Sequence, residues 1–313
     1  MFKEKVVLDR YILVILFAFL SVLTGMSCNS NMLHSSNLKL IVEGDELAGL
    51  LNKKSVKKII VLDVRSEDEY NKGHIPGAVR VDLNEWEKLS LAIDTGLDNV
   101  AFWKDKIGAT GINGKDPVLI YDDGSMTSAA RIWFILQYFG VSKLSVLNGG
   151  FPMLESQIKD GNIKVSDKQA QPVPVKFELT GEDSGQVKLM ERQKVLEAIA
   201  QKDSQILDTR THNEYTGADL RNNPRGGHLP SAMNLPHKDL LDEKGRLKSP
   251  KTLAEIFNKT GFKKGEPIII YCNTGGRASL TALAAERAGY GPIMNYYHSF
   301  KEWSANETCP LEK

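Results

Sequence analysis

The chain has 313 residues, 42% hydrophobic and 25% charged, ordinary values for a globular protein of about two domains. A formal net charge of +1, with no Lys/Arg run interleaved with aromatics, argues against nucleic-acid binding. Three cysteines, Cys28, Cys272 and Cys309, are too few for a disulfide framework, and no C-x-x-C pair or His/Cys cluster is spaced for zinc, so no metal is expected.

The opening residues stand apart. Lys3, Lys5 and Arg10 precede an apolar stretch from Ile12 to Leu23, followed by small residues and Cys28. The stretch is too short to span a bilayer comfortably and reads as an export segment over residues 1–28. Ser27 fits a lipoprotein-type cleavage site, which makes Cys28 a lipidation candidate, although Gly25 fits that pattern poorly. The protein is therefore expected to be exported, periplasmic or anchored to a bacterial membrane by its N-terminus.

Next comes "NKKSVKK" (52–58), a basic run that reads as a solvated face beside a strand. "KIIVLDV" (58–64) predicts a strand buried on both faces, and so does "PVLIY" (117–121). Asp63 and Arg65 after the first of these read as a structural ion pair. "GHIPGA" (73–78) is turn chemistry, and its histidine reads as a hydrogen-bonded turn residue. "TSAARIWFILQYFG" (127–140) has apolar residues at helical spacing and ends on glycine.

A polar, Pro/Gly-punctuated stretch at 166–186 marks a linker, taken as 161–190, between a first domain at 38–160 and a second at 191–313. The second domain then repeats the first. "LDTRTHNEYTG" (207–217) matches "LDVRSEDEYNKG" (62–73), "GHLPSA" (227–232) matches "GHIPGA", and "PIIIYCNTGGRASL" (267–280) matches "PVLIYDDGSMTSAA" (117–130). Asp208 and Arg210 thus repeat Asp63 and Arg65. Insertions such as "ADLRNNPR" (218–225) account for the drift in spacing. Alternation of strands and helices in both copies predicts an α/β fold of two domains, each a parallel sheet covered on both faces.

The copies differ where chemistry would sit. In open parallel sheets, ligands bind beyond the carboxyl ends of the strands. At that position the second copy has Cys272 and the first has Asp122. "NTGGR" then forms a tight loop leading into a helix. Its glycines let successive N–H groups turn inward, the helix start adds partial positive charge, and Arg277 adds a full one. All three favour a thiolate at Cys272. The first domain, lacking a thiol there, is expected to be inactive. Cys309, in the polar tail "ETCPLEK", reads as a spectator or as a resolving thiol.

The motifs "LDVRSEDEYNKGHIPGAV", "LIYDDGSMTSAARIWFILQYFG", "VLNGGF", "GGHLPSAMNLP", "IIIYCNTGGRAS" and "NYYHSFKEWS" give the chain, over about residues 38–306, a resemblance to the tandem-domain rhodanese sulfurtransferases of the thiosulfate/3-mercaptopyruvate type. The resemblance implies ping-pong transfer of a sulfane sulfur through a Cys272 persulfide. The donor and acceptor would be small molecules, cyanide or a thiol among the acceptors. Amides of Asn273, Thr274, Gly275, Gly276 and Arg277 would hold the persulfide charge, and no cofactor is needed. A monomer is expected.

Three departures from the family pattern are visible. Glu214 stands where tandem enzymes often carry a second substrate-binding Arg. Arg210 remains as a binding candidate, and Arg225 in the insertion is a candidate substitute. The loop "CNTGGR" matches neither the thiosulfate nor the mercaptopyruvate pattern. "YHSFKEW" (297–303) lacks the Gly usual in that turn. Two other readings are a non-enzymatic persulfide carrier and a cysteine-dependent phosphatase or arsenate reductase, the latter weakened by a loop one residue too short.

Overall fold

The structure, a computed structural model, describes residues 39–52, 59–179 and 187–313. The export segment, Cys28 and most of the basic run lie outside the described residues. In the first half the strands are β1 (Ile41–Val42), β2 (Ile60–Asp63), β3 (Val79–Arg80), β4 (Val118–Tyr121) and β5 (Leu144–Leu147). Its helices are α1 (Gly44–Asn52), α2 (Glu67–Lys72), α3 (Leu83–Leu91), α4 (Val100–Gly108), α5 (Thr127–Tyr138) and α6 (Glu155–Lys159). The second half has β6 (Val187–Leu189), β7 (Gln205–Asp208), β8 (Met233–Asn234), β9 (Ile268–Tyr271) and β10 (Ile293–Asn295). Its helices are α7 (Arg192–Gln201), α8 (His212–Thr216), α9 (Pro250–Thr260), α10 (Gly276–Arg287) and α11 (Ser299–Ala305).

The strands form two five-stranded parallel sheets, ordered β1-β5-β4-β2-β3 and β6-β10-β9-β7-β8. The repeat seen in the sequence is thus a repeat of topology, and of register. Asp63 lies opposite Tyr121 as Asp208 lies opposite Tyr271. The central strands β4 and β9 are buried throughout, as continuous apolar runs between helical layers should be. The end of the expected linker belongs to the second sheet, since Val187–Leu189 pairs with β10. Upstream, Phe177 is buried in the core and the Val175 amide donates to the Gly108 carbonyl, so this stretch is packed rather than a free tether.

Each Asp-x-Arg motif is a buried clamp. Arg65 donates to both oxygens of Asp63 and to the Gly73 carbonyl, and Tyr121 Oη donates to Asp63 Oδ2 at 2.6 Å. Arg210 likewise donates to both oxygens of Asp208 and to the Gly227 carbonyl, and Tyr271 Oη donates to Asp208 Oδ2. The guanidiniums lie over Phe151 and Phe300, at 3.8 and 3.7 Å from the ring centres. Burying these charges is tolerable because every polar partner is present. His74 and His228 stack on Tyr70 and Tyr215 and bond the carbonyls of those same tyrosines through Nδ1. The halves meet through α5 and α10, which pack against each other and carry one apolar core across both sheets, from Leu62 and Trp133 to Leu280 and Ile293.

Candidate active site

Cys272 directly follows β9, and α10 begins four residues later at Gly276. Its side chain is almost wholly buried, and the Gly275 amide donates to its Sγ at 3.1 Å. Among the described hydrogen bonds, Gly275 is the only loop amide of the five expected that reaches the sulfur. Gly275 has φ of 93°, and a Cβ there would stand 2.6 Å from the Tyr297 carbonyl oxygen, so both conformation and space require glycine. The Cys272 amide donates to Ser299 Oγ at 3.1 Å, and that Oγ lies 3.9 Å from the sulfur. Ser299 has φ of 60°, matching Gly150 at 65° in the first half. The missing turn glycine is therefore no obstacle. His298 has an ordinary φ of −67°, and the left-handed position is taken by a serine whose hydroxyl also donates to the Tyr296 carbonyl.

A cavity of about 200 Å³ opens onto Cys272, walled by Leu83, Glu87, Ser128, Arg131, Thr274 and Arg277 among others. Arg277 is held by Glu214 in a two-pronged pair, at 2.7 and 2.8 Å. Burial acts to raise the Glu214 carboxyl, but the Arg277 bonds and charge, with Thr211, draw it down to about 2. Glu214 also closes the capping box of α8 with Thr211. The residue that breaks the family pattern thus grips the arginine that ends the loop. Nearby, burial together with the Arg277 charge lowers His237 to about 4, so this imidazole is neutral at pH 7.

Two expected binding residues are elsewhere. Arg210 is 1% exposed and fully engaged in the Asp208 clamp, so it cannot offer its charge to a substrate. Arg225 donates to the carbonyls of Trp303, Ser304, Asn306 and Cys309, stapling the C-terminal turn, and is absent from the cavity wall. The insertion does touch the loop through another residue: Asn223 Nδ2 donates to Asn273 Oδ1 at 2.8 Å. Cys309 is buried beneath the turn that Arg225 staples.

The residue that sequence reading missed comes from the other half. Arg131, on α5, donates from Nη1 to Tyr297 Oη at 2.9 Å and from Nη2 to Glu87 Oε1 at 3.1 Å and Thr274 Oγ1 at 3.4 Å. A Cβ on Gly276 would stand 3.0 Å from Nη2. The two loop glycines therefore have separate reasons: Gly275 for its backbone angle, Gly276 for the approach of Arg131. The available signal was a charged residue inside the apolar run "AARIWFIL".

A family model described as Rhodanese-like domain matches residues 43–156 and again residues 191–306. The chain belongs to the rhodanese family. It is 31% identical to the thiosulfate sulfurtransferase of Cricetulus griseus over 76% of this chain and 80% of that one. It is 28% identical to the 3-mercaptopyruvate sulfurtransferase of Escherichia coli (strain K12) over 78% and 85% of the two chains. The crystal structure of the Escherichia coli 3-mercaptopyruvate sulfotransferase matches with a TM-score of 0.67 at 27% identity, covering 84% of this chain and 99% of that one. This rhodanese is a sulfurtransferase.

Its first half repeats the loop with a carboxyl group already built in. Asp122 takes the place of Cys272, and its carbonyl accepts from the Phe151 amide as that of Cys272 accepts from Phe300. The Asp122 carboxyl accepts from the amides of Gly124 and Ala129 and from the Ser125 hydroxyl, at 2.9, 3.1 and 3.2 Å. Burial raises its pKa, and the amide bonds oppose that rise.

Proposed function

We propose that this rhodanese moves a sulfane sulfur from thiosulfate or 3-mercaptopyruvate to a thiophilic acceptor through a persulfide on Cys272. The observation that carries the reading is the sulfur of Cys272 at the foot of a small cavity, with the Gly275 amide aimed at it. The Cys272 thiolate attacks the outer sulfur of thiosulfate. The sulfur–sulfur bond of the donor breaks and sulfite leaves with the electron pair. With 3-mercaptopyruvate the carbon–sulfur bond breaks, and the pyruvate enolate that leaves takes up a proton. Cyanide or a thiolate then attacks the outer sulfur of the persulfide, and Cys272 departs as thiolate. The Gly275 amide and the start of α10 favour negative charge on the sulfur in both steps.

The export segment read from residues 1–28 supports work outside the cytoplasm, with membrane attachment if Cys28 is acylated. Fractionation of producing cells tests this, and recovery of the mature chain in the cytoplasm refutes it. Steady-state assays with thiosulfate and cyanide, and with 3-mercaptopyruvate, test the activity. A catalyst gives many thiocyanates per chain. A single stoichiometric burst would instead mark a persulfide carrier and overturn the catalytic reading.

A further inference from the structure

We propose that Arg131, a residue of the first half, binds the anionic end of the sulfur donor above Cys272. The inference rests on the sulfur-transfer reading and adds to it the source of substrate charge recognition. Of the two arginines on the cavity wall, Arg277 has a nitrogen on each oxygen of Glu214 and is neutralised there. Arg131 is held differently. Two of its three contacts are neutral hydroxyls, those of Tyr297 and Thr274, and its one carboxylate contact uses a single nitrogen. A guanidinium carries five N–H donors, so these three bonds leave donor capacity for a ligand.

The charge balance points the same way. The Arg131 side chain is 5% exposed, whereas its partner Glu87 is 32% exposed and shares its charge with solvent. A buried cation so weakly compensated gains from an incoming anion. Ser128, one helical turn before Arg131 on α5, brings a hydroxyl to the same wall. A guanidinium with an adjacent hydroxyl suits a sulfonate or a carboxylate, the oxyanions of the two candidate donors. Tyr297 keeps the arginine in place, since its Oη bonds both Arg131 and Ser90 and its ring stacks on Phe134 of the same helix.

The test uses Arg131→Met, which removes the charge at similar length, and Arg131→Lys, which keeps it. Thermal unfolding checks that both fold. For Arg131→Met we expect KM to rise about ten- to a hundredfold, the usual loss for a charge-assisted hydrogen bond, with a smaller change in kcat and partial recovery in Arg131→Lys. A rise with both donors assigns the shared oxyanion to Arg131, and a rise with one assigns that donor's. An unchanged KM with both overturns the proposal.

A second readout needs no turnover. Alkylation is followed on the Cys272 peptide with anionic iodoacetate and neutral iodoacetamide. Loss of Arg131 should slow both reagents through the thiol it faces, but iodoacetate about tenfold more than iodoacetamide. Equal slowing of both reagents would show that Arg131 acts on the thiol and not on the incoming anion, and would defeat the idea. If the wild-type protein turns over neither donor, the sulfur-transfer reading falls, while the alkylation ratio still decides whether Arg131 attracts anions to this thiol.

Discussion

The two strand-end loops, Asp122 to Thr127 and Cys272 to Gly276, are built on the same backbone plan and do opposite things. Both follow a buried parallel strand ending in tyrosine, both turn through left-handed residues, and both feed a helix at the interface. In the first, the carboxylate of Asp122 fills the loop and takes its donors. In the second, a thiol sits beneath a cavity with one amide aimed at it. The first loop is thus filled by its own carboxyl group, where the second leaves a thiol facing a cavity. The first half keeps its fold and lends the other a side chain, Arg131, across the helix pair.

The largest expected effect tests that contrast. In a Cys272→Ser background, Asp122→Cys should give no measurable sulfur transfer. The position of Arg277 has no cationic counterpart in "DDGSMTS", and Glu69, the counterpart of Glu214, is confined to the capping box of α2. Turnover in that double variant would show that a thiol alone makes the site. Next come the clamps. Arg65→Ala and Arg210→Ala should each destabilise the protein by about 3–5 kcal/mol, because a buried aspartate is left unpaired. Denaturant midpoints check this. A stable Arg210→Ala protein with a raised KM would return Arg210 to substrate binding.

Arg225→Ala is a milder case. Loss of its carbonyl bonds should cost about 1–3 kcal/mol and leave the donor KM unchanged. A raised KM without loss of stability would put Arg225 back at the cavity. The smallest effect concerns Glu214. Its folded value of about 2 lies below the ordinary 4.5, so the stability it contributes is complete above about 4.5 and is lost as pH falls toward 2. The stability gap between wild type and Glu214→Gln should therefore shrink across that window. A gap that stays constant there would show that the pair is not what depresses the carboxyl.

Much of this was legible in the sequence. The repeat exposed the tandem fold, because strand ends, Asp-x-Arg clamps and turn histidines recur at matched positions. Cys272 stood out because its counterpart is an aspartate. The Glu214–Arg277 pair was half visible: a glutamate where relatives often carry arginine, and an arginine closing the cysteine loop, both stand in the sequence, but only the fold shows them facing each other. Arg225 misled because its partners are backbone carbonyls, which leave no signature in a sequence. Arg131 was hidden for a related reason. Helical spacing marks which face of α5 is buried, but the neighbour across the interface depends on how two helices cross.

The central claim is that Cys272 carries the transferred sulfur. Intact-mass and peptide mapping after exposure to thiosulfate or 3-mercaptopyruvate should find one added sulfur atom on the Cys272 peptide, removed by cyanide and absent from Cys272→Ser. Added sulfur on Cys309 instead, or none on the wild-type chain while turnover proceeds, would contradict the account.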